Sequence, residues 1–235
     1  MTDQTSRASR PVLSSARDLL DIIVLVVFSL AVDAAIEALA RGHAPSLVMI
    51  FAAPVACLIF TWLLLRFRGQ RFSDIGLATF GNPVKTLLLA VIVAAALWTI
   101  AWVTESAGLQ RNFSNLRPYL ENNPAYLAAM VFYGLFGAGF YEEVTFRGFL
   151  LQRFAHMFGS TRLAWGLAAV AQGVLFGLAH AHQGVYGILY TGGLSIAFAI
   201  ILLATGRNLW PLILGHACYD ASRFVYLYWS WAHGS

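Results

Sequence analysis

Long runs of apolar residues constrain this chain more than any other feature of its sequence. A helix that crosses a bilayer needs about 20 mainly apolar residues, and seven stretches reach that length. They are 18–40, 45–66, 84–105, 124–142, 163–181, 184–205 and 208–231. A transmembrane barrel would instead show many short segments of alternating hydrophobicity. The sequence therefore predicts an all-α, multi-pass transmembrane bundle of about seven spans, with six to eight as the range.

The low charge content excludes an ordinary soluble domain. Only 11% of the 235 residues are charged and 59% are hydrophobic, whereas a soluble domain carries about 25% charged residues. The formal net charge of +4 does not indicate nucleic acid, because the basic residues lie between the apolar runs, where they set membrane topology. The expected partner is the lipid bilayer, with no nucleic-acid partner.

The distribution of basic residues predicts orientation. Residues 1–17 are polar and basic, and they are predicted to be a cytoplasmic tail because no clear signal-peptide cleavage site follows them. Residues 18–235 are predicted to form a single transmembrane domain. An inside N-terminus places the basic groups of 66–85 and 147–162 on the cytoplasmic side as well. If the host is prokaryotic, the expected location is the plasma (inner) membrane.

Two local features are predicted near the ends of the apolar spans, a short interfacial helix and an ion pair. The basic segment 66–83 contains Phe72, Ile75 and Leu77, which suggests a cytoplasmic loop with a short helix lying at the membrane interface. Glu37 and Arg41 are four residues apart, and this spacing favours an ion pair on the helix surface.

Two adjacent glutamates and an arginine follow the fourth apolar run, in the stretch GAGFYEEVTFRG (137–148). In a helix Glu143 and Arg147 are four residues apart and can pair on one face. Glu142 projects about 100° away from Glu143, so its carboxylate is left without that partner. The alternatives are a functional carboxylate, as ionisable residues inside membranes often are, and a helix-end ion pair with a spare surface glutamate.

A histidine lies at the end of the fifth apolar run. Gly173, Gly177 and His180 recur at i, i+4 and i+7, and with Ala169 they form a stripe of small residues that lets another helix approach closely. His180 is therefore predicted to project into a helix–helix interface, with Phe176 packed one turn before it. The structural alternative is a hydrogen-bonded packing histidine.

The last apolar run carries His216 and Asp220, which are four residues apart and share a helix face. Asp220 can orient the His216 imidazole, or the two side chains can together bind one ion or one substrate oxygen. A buried hydrogen bond that locks two helices is the structural alternative. Taken together, the three clusters place a carboxylate, two histidines and a second acid on separate apolar segments. These are the residue types of general-base or metal-assisted hydrolysis.

The same residues match the motifs of a known family in order and rough spacing. EEVTFRG (142–148) fits EExxxR, residues 176–180 fit FxxxH, and TGRNLWPLILGHACYD (205–220) ends in a match to HxxxN or HxxxD. Residues 124–222 therefore resemble the catalytic core of the CPBP intramembrane proteases. That family includes the type II CAAX prenyl endopeptidases, bacteriocin-processing enzymes and related immunity proteins. The resemblance implies an intramembrane endopeptidase that acts on a peptide or a membrane-anchored protein.

The resemblance also implies roles for individual residues. Glu142 corresponds to the general base that activates water, and His180 to its catalytic partner. His216 and Asp220 correspond to the pair that stabilises the tetrahedral oxyanion. The same four residues are the candidate ligands if the enzyme depends on a metal. The cofactor therefore stays open between none, which we prefer, and zinc.

The remaining motif residues are supporting ones, namely Glu143 and Arg147 as an ion pair and Phe176. One position departs from the family pattern, because asparagine often stands where this chain has Asp220. An asparagine amide can donate a hydrogen bond to an oxyanion, whereas an ionised carboxylate only accepts. Asp220 can instead orient His216, be protonated through burial, or bind a metal.

If successive spans simply cross the membrane in alternating directions, the motif residues cannot all meet in one site. This alternation brings Arg147 to the cytoplasmic face and His180 near the opposite face. The sequence therefore predicts tilted, broken or re-entrant segments between residues 142 and 182, where several glycines occur.

Two other functions fit the composition. A proton-coupled transporter would use the carboxylates and histidines as a relay, but no inverted repeat is visible. A catalytically silent immunity or scaffold protein would keep the same fold. The presence of Glu142 and both histidines argues against that alternative.

Overall fold

The computed structural model describes residues 12–40 and 46–233, and within these ranges the chain is helical with no β-strand. The α-helices are α1 (Val12–Ala40), α2 (Leu47–Phe67), α3 (Pro83–Ser106), α4 (Arg117–Leu120), α5 (Pro124–Tyr133), α6 (Leu151–Met157), α7 (Arg162–Ala179), α8 (Gly184–Ala204) and α9 (Trp210–His233). A π-helix, Gly134–Leu150, joins α5 to α6, and short 3₁₀ helices cover Phe72–Ile75 and Ala181–Gln183. The predicted all-α bundle is confirmed.

Six helices in the described ranges are long and apolar enough to cross a membrane. They are Ser15–Ala40, Val48–Phe67, Pro83–Ser106, Pro124–Met157, Arg162–Ala179 and Ala181–Ala204. The number lies within the predicted six to eight. The seventh predicted span, 208–231, is helical as α9, but α9 is not among the six and carries Asp220 and Arg223.

The surface of the bundle is apolar in the way that lipid contact requires. Large exposed side chains along the candidate spans include Leu20, Val27, Ile59, Val91, Ile92, Trp102, Val174 and Leu189. A soluble monomer rarely exposes apolar patches this extensive. Together with the six apolar helices, this surface makes the protein an integral membrane protein.

The fourth span is longer than the sequence predicts. α5, the π-helix and α6 form one helix from Pro124 to Met157, 34 residues long, whereas the predicted span ends at residue 142. The charges of the 137–148 stretch therefore lie in the middle of a helix. They are tolerated there because other helices cover them, as the buried Glu143 and Arg147 show.

This longer helix removes the topological conflict. α7 runs back for 18 residues after the turn at 158–161, which is roughly 27 Å at ~1.5 Å per residue. That length returns His180 to the cavity that Glu142 also lines. α7 is a continuous helix up to Ala179, so the broken and re-entrant alternatives are wrong for it, whereas a tilted path stays a prediction. The broken and re-entrant alternatives followed from ending the fourth span at its first charges.

Glycines let α9 cross the π-helix at very short range. A Cβ added to Gly139 would lie 2.4 Å from Ala217 Cβ and 2.7 Å from Ala217 Cα, and one on Gly134 would lie 2.7 Å from the Ala221 amide nitrogen. The same device joins α7 to α8, as the small-residue stripe predicts. There a Cβ on Gly177 would lie 2.5 Å from Ile188 O.

Charged residues at the end of the bundle that holds the start of α1 pair with one another. Asp21 bridges Arg68, the C-cap residue of α2, and Arg153 of α6, with N···O distances of 3.0 Å to each. Arg153 also donates to Gln70 at 2.6 Å. These basic residues, which the sequence suggested as topology signals, therefore also hold three helices together.

The 66–83 loop contains the short helix that the sequence predicts, Phe72–Ile75, and part of the loop packs on the rest of the protein. Ile75 is only 2% exposed, and the Leu209 amide donates to Gly76 O at 3.0 Å. Phe72 and Leu77 pack against the same core. The apolar residues of this loop serve the contact with α9's N-terminus, a long-range partner that local patterning cannot reveal.

Two other expectations concern the chain's outer parts. α1 begins at Val12, inside the predicted tail 1–17. Arg41, the predicted partner of Glu37, lies outside the described residues.

Gly139→Ala should destabilise the fold, because the added methyl group would overlap the backbone of Ala217 and force α9 away. Overpacking of this kind costs about 1–3 kcal/mol. The measurement is thermal unfolding of the purified protein in detergent. Gly166→Ala is the matched control, since a Cβ there meets nothing within 4 Å. Equal unfolding temperatures for the two variants would refute the close crossing.

Candidate active site

The three predicted clusters meet around one internal cavity of about 400 Å³. The motif residues that line it are Glu142, Arg147, Phe176, His180, His216 and Asp220. Glu143 is the one predicted site residue that does not line the cavity. It lies behind the wall with 0% exposure, where it contacts two of the others.

Glu143 binds both Arg147 and His216. Its Oε1 is 3.2 Å from Arg147 Nη1, the ion pair expected from the spacing, and 2.8 Å from His216 Nδ1. A carboxylate oxygen accepts, so Nδ1 of His216 carries the hydrogen. This fixes the ring and leaves Nε2 on the side of Asp220, whose Oδ2 is 3.6 Å away. Glu143 thus connects the π-helix to α9.

Arg147 is enclosed by aromatic rings as well as paired. Its Cζ lies 4.3 Å from the centroid of the Phe176 ring and 5.1 Å from that of Phe198. A desolvated guanidinium gains cation–π attraction from such rings. Phe176 of the FxxxH motif therefore supports Arg147, and Phe198 of α8 adds a contact for which the sequence carries no signal beyond one more aromatic in an apolar run.

His180 is held by the helix that it ends. Its Nδ1 is 2.8 Å from Phe176 O, and because a carbonyl oxygen only accepts, Nδ1 is the protonated nitrogen. In the neutral ring Nε2 is then the free acceptor. The Phe176 ring, 4.5 Å from the imidazole centroid to centroid, fixes the other side. This tautomer suits a group that accepts a proton or a hydrogen bond.

Glu142 is the carboxylate without a partner. It is 9% exposed and lines the cavity, and among the described residues no hydrogen bond or ion pair engages it. The π-helix refines the spacing argument. Its hydrogen bonds run from residue i to i+5, as from the Leu151 amide to Phe146 O, so residues five apart stand one turn apart. Glu142 and Arg147 therefore both reach the cavity, whereas α-helical spacing separates them.

Sequence reasoning missed a cluster on the loop between α3 and α4. Arg111 lines the cavity, and its Nη2 donates to Tyr219 OH at 2.9 Å. The Asn112 amide donates to Gln183 O at 3.1 Å, which ties the loop to the turn after His180. An isolated arginine in a loop of mixed charge carries no motif that could have identified it.

Comparison with known proteins bears on the segment that contains these residues. Residues 124–222 match the family model described as Type II CAAX prenyl endopeptidase Rce1-like. This segment is therefore similar to that family. Searches of the curated proteins and of the solved structures return no match. The matched family is one of proteases, and the match supports a CAAX-type endopeptidase activity in general terms.

The family match begins with α5 and ends within α9, so it contains every motif residue of the cavity. Helices α1 to α3 lie outside it. They nevertheless contribute to the same cavity through Asp33, Met49, Pro54 and Leu97. The parts of the cavity that the family model does not cover are therefore built by the first half of this chain.

Zinc is the cofactor that the sequence leaves open, and the donor arrangement can be tested for it. Within the described residues no three side chains of His, Cys, Asp or Glu converge as ligands. Of the four candidates, His216 has Nδ1 bonded to Glu143 and Nε2 directed toward Asp220 at 3.6 Å. A zinc site needs ligand atoms at about 2.0–2.3 Å from one point. Glu142, His180, His216 and Asp220 do not fit a metal ion as they stand.

Glu143→Gln should destabilise the protein strongly, and Glu142→Gln should not. Removing the Glu143 charge leaves Arg147 buried without its counter-ion, and breaking a buried pair in this way costs roughly 3–5 kcal/mol. Glu142 makes no hydrogen bond or ion pair within the described residues, so its neutralisation leaves Arg147 paired with Glu143. Thermal unfolding of both variants in detergent checks this expectation. A smaller loss for Glu143→Gln than for Glu142→Gln would contradict the assignment of the pair.

Proposed function

We propose that the protein is an intramembrane endopeptidase in which Glu142 activates water for attack on a peptide carbonyl. The observation that carries this proposal is the difference between two adjacent glutamates. The Glu143 carboxylate is bonded to Arg147 and His216. The Glu142 carboxylate makes no such contact and lines the cavity that His180 and His216 also line. A free carboxylate beside two oriented imidazoles is suited to general-base hydrolysis.

In the proposed first step the Glu142 carboxylate takes a proton from water while the water oxygen bonds to the carbonyl carbon. The negative charge moves to the carbonyl oxygen. His216 stabilises that oxyanion through an Nε2–H, since Nδ1–H is already held by Glu143. Asp220, 3.6 Å from Nε2, favours the doubly protonated imidazolium that this donation requires. An ionised Asp220 thus acts on the charge of His216 and not directly on the oxyanion.

In the second step the carbon–nitrogen bond breaks and the amine leaves with the proton that Glu142 acquired. His180 assists in the first step. Its Nε2 accepts a hydrogen bond from the attacking water, and this contact directs a lone pair of the water oxygen toward the carbonyl carbon. Phe176 O holds His180 in the tautomer that allows this. In this proposal Glu142 transfers the proton, His180 orients the water and His216 stabilises the oxyanion.

The substrate we propose is a peptide or a membrane-anchored protein. The family description points to a CAAX peptide that carries a prenyl group as the first substrate to test. The apolar part of the cavity lining supports an apolar or lipid-modified residue near the cleaved bond. It includes Ile36, Met49, Ile50, Ala53, Pro54 and Met130.

We also propose that the N-terminus is cytoplasmic, with the protein in the plasma (inner) membrane if the host is prokaryotic. Arg68 and Arg153 lie at the end of the bundle where α1 starts, because both contact Asp21. Basic residues of short loops favour the cytoplasmic side. These contacts support one cytoplasmic end that contains the start of α1, the 66–83 loop and the α6–α7 turn.

Glu142→Gln should lower kcat by about 100- to 10,000-fold, the range that general-base catalysis supplies. The assay uses purified protein in lipid nanodiscs with a quenched-fluorescence, prenylated CAAX peptide, and mass spectrometry identifies the cleaved bond. Glu121→Gln is the matched control, because Glu121 lies outside the cavity and pairs with Arg117 on the surface. Undiminished turnover by Glu142→Gln would remove Glu142 from the mechanism.

Cleavage should also survive metal chelation, because no step above uses a metal ion. The measurement is peptide cleavage before and after treatment with 1,10-phenanthroline, together with elemental analysis of the purified protein. We expect substoichiometric zinc and retained activity. Stoichiometric zinc that is lost together with activity, and restored with it, would overturn the metal-free mechanism.

A further inference from the structure

Arg111 is a cation in the catalytic cavity that no carboxylate neutralises within the described residues. Other arginines are paired: Arg68, Arg117, Arg147, Arg153 and Arg223 each contact an aspartate or a glutamate. Arg111 lines the same cavity as Glu142 and His180, but its contacts are a hydroxyl and two aromatic rings. Its charge is therefore available to a ligand.

The guanidinium is held in place without being satisfied. Its Cζ lies 4.9 Å from the Phe113 ring centroid and 4.7 Å from that of Tyr190, and one nitrogen donates to Tyr219 OH. A guanidinium has five N–H donors arranged to match a carboxylate, so most of them stay unused. Aromatic rings orient the plane of the group without consuming its charge, which leaves a preorganised anion-binding group.

Arg111 is connected to the elements that carry the proposed catalytic residues Asp220 and His180. Tyr219 precedes Asp220 in α9, and Asn112 is bonded to the turn that follows His180. The cavity of about 400 Å³ falls within the size range of sites for drug-sized ligands. A short peptide segment can therefore reach Arg111 and Glu142 together.

We propose that Arg111 binds a carboxylate of the peptide substrate and so determines which peptides are positioned for cleavage. This proposal rests on the proposed peptidase function and deepens it. The carboxylate can come from the peptide's C-terminus or from an acidic side chain, and both present the same two oxygens to the guanidinium. Arg111 is a specificity-determining residue in this account and takes no part in bond breaking.

The experiment measures binding, so that its result does not depend on turnover. Glu142→Gln protein in nanodiscs is titrated with three fluorescein-labelled, prenylated CAAX peptides, and fluorescence anisotropy gives Kd. One peptide has a free C-terminal carboxylate, the second is its carboxamide, and the third is the carboxamide with a glutamate as its last residue. The series is repeated in proteins that also carry Arg111→Gln, Arg111→Lys or Arg117→Gln.

We expect the free carboxylate to bind about 10- to 100-fold more tightly than the carboxamide, as a hydrogen-bonded charge pair supplies. Arg111→Gln should remove this preference, Arg111→Lys should keep part of it, and Arg117→Gln should keep it fully. Tight binding of the glutamate peptide as well would identify side-chain carboxylates as a second source.

Three results would overturn the proposal: equal Kd values for the free carboxylate and the carboxamide, no measurable binding of either, or a preference that persists in Arg111→Gln. Should Arg111→Gln fail to fold, the comparison of peptides on protein with Arg111 intact and on Arg111→Lys still decides. Equal binding of the free carboxylate and the carboxamide by the protein with Arg111 intact, together with normal cleavage by wild type, would reject only the role of Arg111. Carboxylate-dependent binding without cleavage of any peptide would reject only the peptidase mechanism.

Discussion

Two opposite charges that lie wholly inside an apolar bundle must neutralise each other, and Glu143 and Arg147 do so at 3.2 Å. Desolvating either one alone is too costly for a helix surrounded by hydrocarbon. Their pairing leaves Glu143 one more contact, which it makes to His216, and leaves Arg147 to pack between Phe176 and Phe198. Helices α7, α8 and α9 are thereby positioned around a single charged centre in the π-helix.

Around this centre the two adjacent glutamates have different surroundings, which suit Glu143 to a structural role and Glu142 to the proposed catalytic one. Glu143 is sealed from the cavity, whereas Glu142 lines it. Close helix crossings make this possible, because Gly139 admits the backbone of Ala217 directly beside His216. The same buried pair that stabilises the fold also fixes the tautomer of His216, so the oxyanion-binding role proposed for that ring depends on the structural role of Glu143.

The family match covers residues 124–222, yet the cavity extends beyond them. Asp33, Met49 and Pro54 of α1 and α2, and Arg111 of the α3–α4 loop, complete its lining. This arrangement suggests a division in which the matched half carries the motif residues and the other half surrounds the substrate.

Local periodicity in the sequence determined the helical bundle, the Glu143–Arg147 pair and the small-residue face of α7, since each depends on neighbours within two turns. Tertiary structure alone decided the rest. The bond from Glu143 to His216 joins residues 73 apart, the length of the 124–157 helix depends on helices that cover its charges, and Arg111 reaches the cavity through a loop contact. Spacing rules describe one helix at a time, whereas burial of a charge depends on every helix that packs around it.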